Sequence, residues 1–251
     1  MIATTPPRLV LTTDVNGTTT AHNTFAELVR PDGLYEPMAR LMRSYTGGRC
    51  SFAEVLPQMK ALTARVDRSR LETYAKELPL FPGVVSTLEG LGLSETVEAR
   101  LALSTTGFAG LAALVNKYRH RCLLGVAASP VLLEFLTQDE RSCLLRPVAA
   151  ETDKVLVTGD LVEAHRPTSG LLFHVGDTLG DFPALRHVAE KGGTGIAFCP
   201  NEPLVRKIAG LPREVRTSIC LVEPGRDQGP DYHKVAHIIR NVLWKTTRTE
   251  L

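Results

Sequence analysis

The chain of 251 residues is 43% apolar and 22% charged with a mean hydropathy near zero, an ordinary balance that excludes collagen-like, disordered and membrane-spanning chains. Its 29 Lys plus Arg nearly cancel 27 Asp plus Glu, and without a dense basic cluster a nucleic-acid partner is not expected. The odd, widely spaced cysteines (Cys50, Cys122, Cys143, Cys199, Cys220) form no CxxC pair and read as reduced thiols, which implies a cytoplasmic setting. Residues 1–7 lack the basic start of a secretory signal, and the longest apolar stretch, 123–136, is interrupted by Ser129, Pro130 and Glu134, so no membrane partner is expected either. Oligomeric state is not legible.

In chain order, residues 8–13 make a short apolar, β-branched run that stops at Asp14 and enters Asn16-Gly17, the pattern of a buried strand and a tight turn. From 25 to 77 strand signals vanish. Ser51 and Glu54 form a capping box, and Asp67 opens a helix continuing through Leu71, Tyr74 and Leu78. A block of roughly 50 residues is too long for a simple crossover and reads as an inserted helical domain, with Pro31 and the 79–82 segment as its joints. Strand-like runs follow at 99–104, 122–127, 171–175 and 194–198, separated by helical stretches, and a last amphipathic helix carries Val235, Ile238, Ile239, Leu243 and Trp244. Strands alternating with helices imply an α/β fold with a doubly wound parallel sheet. The expected division is a core domain of residues 1–20 and 80–251 and a cap domain over 21–79; the segment beyond about 205 carries no functional signal.

In such sheets ligands sit beyond the carboxyl ends of the strands, where this chain spends its polar residues. Asp14, followed by Val15-Asn16-Gly17-Thr18, can attack a phosphoryl group and form an aspartyl phosphate, with the Gly17 turn exposing backbone N–H groups; an Asx turn closing the strand would use the same residues. Asp177 and Asp181, four positions apart after another apolar run, converge with Asp14 on an oxygen-rich site suited to Mg²⁺, although Asp181 alone is also a fitting helix cap. His174, in the apolar run, reads as a core residue with a satisfied ring rather than a ligand. Cys199 and Trp244 read as packing residues, and His233 and His237 as surface residues rather than a metal site.

These residues resemble the motifs of the haloacid dehalogenase (HAD) superfamily: Asp14-Val15-Asn16-Gly17-Thr18 its first motif with one exchange, Leu101-Ala102-Leu103-Ser104 its second, and Gly176-Asp177-Thr178-Leu179-Gly180-Asp181 its fourth. Gly48-Arg49-Cys50-Ser51-Phe52, Phe81-Pro82-Gly83, Ser104-Thr105-Thr106-Gly107-Phe108 and the 195–201 segment are similar to the phosphoserine-phosphatase-like branch. The resemblance implies a Rossmann-like core with a small inserted helical cap and an Mg²⁺-dependent phosphatase acting on a small-molecule phosphate ester. It casts Asp14 as nucleophile and Asp14, Asn16 (through its carbonyl), Asp177 and Asp181 as metal ligands. Ser104 and Lys154 then hold the phosphate, with Arg166 a rival for the lysine's place, and Gly17, Thr18, Thr105 and Thr106 line the substrate.

Two departures matter. Asn16 stands where the superfamily has its acid/base aspartate, and an amide cannot shuttle that proton. Four readings stay open: an introduced exchange that traps substrate, a slow or non-catalytic phosphate-binding relative, a substitute proton donor such as His22, or chemistry that needs no acid. The last has a phosphonatase-like form, with Lys60 as a Schiff-base lysine in C–P cleavage. In the cap, Asn23 and Met59 occupy the positions that clamp phosphoserine with a Glu and an Arg, so the expected substrate is a different, less charged or larger ester.

Overall fold

The computed structural model describes residues 5–21, 23–121, 124–224 and 229–249; His22 and Cys122 lie outside them. Seven strands run β1 (Arg8–Thr13), β2 (Glu98–Phe108), β3 (Gly125–Ser129), β4 (Leu144–Pro147), β5 (Leu172–Gly176), β6 (Thr194–Phe198) and β7 (Ile219–Val222), and pair in parallel in the order β4-β3-β2-β1-β5-β6-β7. The chain builds outward from β1 to one edge and returns beside it to build the other. That places the reversal of strand order at β1 and β5, where an open α/β sheet forms its ligand crevice.

Four helices, α1 (Thr24–Leu28), α2 (Tyr35–Thr46), α3 (Phe52–Leu62) and α4 (Arg68–Glu77), lie between β1 and the remaining core helices. Those are α5 (Val84–Gly92), α6 (Ala109–Arg119), α7 (Gln138–Arg141), α8 (Asp153–His165), α9 (Phe182–Glu190), α10 (Glu202–Ala209), α11 (Arg213–Arg216) and α12 (His233–Thr249). The period of a buried strand sends alternate residues to opposite faces. Leu9 and Leu11 accordingly pack with Val84, Leu88, Val235 and Ile239 of α5 and α12, while Val10 packs with Leu172 and Val188, against Leu161 and Val162 of α8. Helices thus cover both faces, as a doubly wound sheet requires.

The predicted strands at 8–13 and 194–198 coincide with β1 and β6, whereas the 122–127 run is displaced to Gly125–Ser129. β4 and β7 carry no strand prediction: each is a four-residue edge strand with partly exposed residues, too short for a period to register. The capping box of Ser51 and Glu54 and the Asp67 cap start α3 and α4 as expected, each worth about 1 kcal/mol to its helix. Pro31 sits within the helical block, in a 3-10 turn at Arg30–Asp32. The two connections to the core are instead joined to each other: Thr20 Oγ1 donates to Pro79 O at 2.6 Å and Phe81 N to Thr19 O at 2.9 Å.

The inserted helices share one apolar cluster with α6 and the segment after β3: Phe25, Met38, Phe52, Met59 and Leu71 pack together with Phe108, Leu111, Leu114 and Leu132. Ion pairs reinforce this side. Arg68 of α4 and Lys117 of α6 both bond Glu140, whose side chain is only 3% exposed. Trp244 departs from its reading as a packing residue: it is 56% exposed, with the Arg248 guanidinium 4.2 Å from its ring centre, because the apolar face of α12 is carried by Val235 and Ile239 instead. No helix among the described residues is long and apolar enough to cross a membrane.

Candidate active site

The chemistry-bearing residues meet at the carboxyl ends of β1, β2 and β5. Asp14 leaves β1 with its N–H on Val175 O at 2.9 Å, and its side chain is almost fully buried. Lys154, in the first turn of α8 and 1% exposed, places Nζ 2.5 Å from Asp181 Oδ1 and 3.4 Å from Asp14 Oδ1. No hydrogen bond reaches Asp14 Oδ1. One buried cation therefore faces a carboxylate just beyond β1 and another in the 3-10 turn after β5, and Arg166, which ends α8 in a left-handed turn with φ of 50°, is not the partner.

Asp181 is surrounded by donors. Its Oδ2 accepts from the N–H groups of Asp177 and Thr178, both at 3.2 Å, and from Thr178 Oγ1 at 3.3 Å. Its Oδ1 faces His174 Nε2 at 3.4 Å as well as Lys154. His174 is fully buried and its other nitrogen lies 2.8 Å from Thr12 Oγ1, so its ring is satisfied as expected, while touching the site. Burial alone would raise Asp181, but the ammonium of Lys154 and the contact with His174 hold it below the usual carboxylate range. Lys154 in turn is raised above an ordinary lysine, its burial outweighed by Asp14 and Asp181 together.

The turn after β1 differs from its sequence reading. Four of its N–H groups are used within the turn: Gly17 N donates to Thr20 O at 2.8 Å, while the N–H groups of Thr18, Thr19 and Thr20 all turn back to Val15 O. Instead Gly17 and Thr18 hold Asp177. Thr18 Oγ1 donates to Asp177 Oδ1 at 3.0 Å, and Gly17, at φ +77°, has room for no side chain, since a Cβ there would lie 1.9 Å from Asp177 Oδ2. Only glycine accepts both that backbone conformation and that approach.

Asp14, Asp177 and Asp181 present carboxylate oxygens within 4.8 Å of one another. Burial, followed by repulsion among the carboxylates, pushes Asp177 well above its ordinary value, and burial likewise raises Asp14 against the pull of Lys154. A cluster carrying more negative charge than Lys154 can balance calls for a further cation. The all-oxygen donors and the unbonded Asp14 Oδ1 fit a hard divalent ion. Asp181, committed to Lys154, His174 and the Thr178 turn, has the least to offer it.

Ser104, Thr105 and Thr106 lie in β2 where its register against β3 shifts. Ser104 Oγ is buried without a partner, and the Thr105 hydroxyl accepts from Gly107 N at 3.0 Å. Ser129, at the carboxyl end of β3, has an equally buried and unpartnered Oγ; its signal, a serine ending the run Val-Ala-Ala, matches that of Ser104 but escaped the motif reading. Asn16 Oδ1 accepts from Thr24 N at 3.2 Å and Thr24 Oγ1 at 2.5 Å. Its Nδ2 lies 3.7 Å from where a Cβ on Gly107 would sit, a point also beside Thr105 Oγ1.

From the helical insertion, the structure brings Tyr45 rather than Asn23 and Met59 to this cluster. Tyr45 Oη packs so closely over Gly180 that a Cβ there would lie 2.5 Å away, and it interacts with Thr106 and Lys154. Asn23 caps α1 through its bond from Ala26 N, and Met59 is fully buried in the apolar cluster of the insertion. Lys60 is exposed at the end of α3. It lines a cleft of about 270 Å³ with Thr63, Val131 and Glu134, and none of the clustered acidic residues borders that cleft.

No protein-family model and no curated protein sequence matches the chain. Solved structures do. A phosphoserine phosphatase with an analogue of its phospho-aspartyl intermediate matches with a TM-score of 0.66 and 16% identity, over 92% of this chain and 99% of that one. A substrate-bound phosphoserine phosphatase gives 0.66 and 15% over 92% and 98%. A HAD family hydrolase from Salmonella enterica serovar Typhi gives 0.59 and 16% over 79% and 65%. The fold is therefore the one these HAD structures share.

Proposed function

We propose that the protein is a Mg²⁺-dependent phosphatase that transfers the phosphoryl group of a small-molecule ester to Asp14 and then to water. The observation that carries this reading is the convergence of a buried aspartate with an unbonded Oδ1, a buried lysine and two further aspartates at one strand-end crevice.

In the mechanism, Asp14 supplies the attacking oxygen and Lys154 stabilises charge on the transferring group, the main electrostatic task of phosphoryl transfer. The unpartnered hydroxyl of Ser104 donates to a phosphoryl oxygen, with Thr105 and Thr106 beside it. Asp14 and Asp177 would hold the ion, with the Asn16 carbonyl, and Asp181 would serve chiefly to fix Lys154. When bound, Mg²⁺ supplies additional charge neutralisation for the phosphoryl group. Residues 21–79 act as the cap that excludes water from this chemistry. The substrate is an ester other than phosphoserine, because Asn23 and Met59 offer no charged clamp.

A second reading, a phosphate-ligand binder without turnover, draws support from Asn16, whose amide oxygen is held by Thr24 and which has no proton to exchange. Turnover of a panel of phosphate compounds with Mg²⁺, alongside calorimetric binding of orthophosphate, separates the two. Mg²⁺-dependent release of phosphate that Asp14→Asn abolishes supports the phosphatase. Phosphate binding without any turnover supports the binder, and neither binding nor turnover contradicts both.

A further inference from the structure

Among the described residues the corner around Asp14 is rich in hydrogen-bond donors, and the position two residues after Asp14 holds an amide in place of a carboxyl group. Lys154 is held in ion pairs by Asp181 and Asp14. Thr105 and Ser104 offer only hydroxyls. Tyr45 approaches from α2 and places its hydroxyl closely over Gly180. His174 lies behind Asp181, with its ring between Thr12 and that carboxylate.

Asn16 completes the set. Its oxygen is pinned by two donors from Thr24 at the start of α1, so its NH₂ is the end left toward Gly107 and Thr105. An amide so oriented stabilises negative charge by donating, but it neither protonates a departing oxygen nor deprotonates water. A simple alkoxide leaving group departs poorly without a proton, whereas a carboxylate leaves as a stable anion.

Resting on the phosphatase reading above, we propose that this site is specialised for acyl phosphates, mixed anhydrides of a carboxylic acid and phosphoric acid, and discriminates against simple alkyl phosphates. In the first step an Asp14 oxygen bonds to phosphorus while the bond from phosphorus to the acyl oxygen breaks. The leaving carboxylate takes the electron pair and needs no proton. In the second step water bonds to phosphorus, the Asp14 carboxylate leaves with its electron pair, and the protons of the water go to the released phosphate and to solvent. Among the described residues no side chain is placed to assist that second step as a base, so the aspartyl phosphate accumulates during turnover.

The test compares acetyl phosphate, p-nitrophenyl phosphate and glycerol 3-phosphate in Mg²⁺, with acid-quench measurement of protein-bound phosphate, on the unaltered chain and on Asn16→Asp. The inference expects kcat/KM to fall steeply from acetyl phosphate to glycerol 3-phosphate. It also expects a substantial bound-phosphate fraction with acetyl phosphate. Asn16→Asp should raise turnover of glycerol 3-phosphate by roughly 10²–10⁴-fold, the range for a positioned acid or base, and lower the bound fraction. Equal kcat/KM for all three in the unaltered chain overturns the inference while leaving the phosphatase standing. Absence of turnover and of bound phosphate in both proteins overturns both readings.

Discussion

The two halves of this molecule make their polar contacts in opposite ways. At the strand ends, buried polar groups are packed against one another: Lys154, Asp181, His174 and Thr12 form one continuous chain of contacts with little or no exposure. In the helical insertion the interior is apolar, and polar links join its outer parts to the core: Thr24 to Asn16, Phe52 N to Glu151 Oε1 at 3.0 Å, Asn201 Nδ2 to Thr46 O at 3.3 Å, Arg68 to Glu140 and the Phe135 carbonyl, and Arg119 to the Lys76 and Leu78 carbonyls. A buried polar network fixes one geometry because each unpaired member is costly. The strand-end cluster is thus expected to be the more rigidly fixed of the two regions.

The largest effect expected from this contrast is at Asp14. Asp14→Asn leaves Lys154 paired with Asp181, so the fold should persist while turnover falls by roughly 10⁴-fold or more, as for loss of a nucleophile elsewhere; circular dichroism beside a phosphate-release assay checks both. Lys154→Met should damage stability as well as activity. It leaves buried carboxylates without their cation, a loss of about 3–5 kcal/mol, and Mg²⁺ should raise the Tm of this variant more than that of the unaltered chain.

Gly17→Ala probes the support of Asp177. The new methyl meets Asp177 Oδ2, so Mg²⁺ affinity measured by calorimetry should weaken by about 10–100-fold, the range for disturbed support of a metal ligand. The smallest effect belongs to the cap side. Arg68, and then Lys117 and the Thr137 backbone N–H, hold Glu140 far below the usual carboxylate range against the opposing effect of burial. A depressed folded-state value means stability that is present above the unfolded value of about 4.3 and is lost as pH falls below it. Glu140→Gln should therefore cost about 1–3 kcal/mol at pH 7, a difference that denaturant titrations should find shrinking as the medium is acidified.

The same contrast explains what the sequence made legible. The strand-end residues announce themselves locally, because each follows an apolar run and is set off by glycine or threonine: Asp14, Ser104 and Asp177 all appear where the fold places them. The cap contacts join residues far apart in the chain and leave no local pattern. Tyr45 reads as one more apolar position of α2, and only the packing of its hydroxyl over Gly180 reveals its place in the site. Asn23 and Met59 are expected at the substrate by position; in the fold Asn23 also caps α1 and Met59 is buried in the apolar cluster of the insertion. The Gly17 turn reversed its expected purpose for a related reason. Its backbone bonds close within the turn, which the letters Asn-Gly-Thr do not reveal, and what remains is a cradle for Asp177.

The central claim, that Asp14 receives the phosphoryl group, is tested most directly by finding where phosphate becomes attached. After brief incubation with acetyl phosphate and Mg²⁺, borohydride reduction converts an aspartyl phosphate to homoserine, which peptide mass spectrometry locates. The account predicts homoserine at position 14 in the unaltered chain and none in Asp14→Asn. Homoserine at another position, or phosphate release with no modification at Asp14, would contradict it.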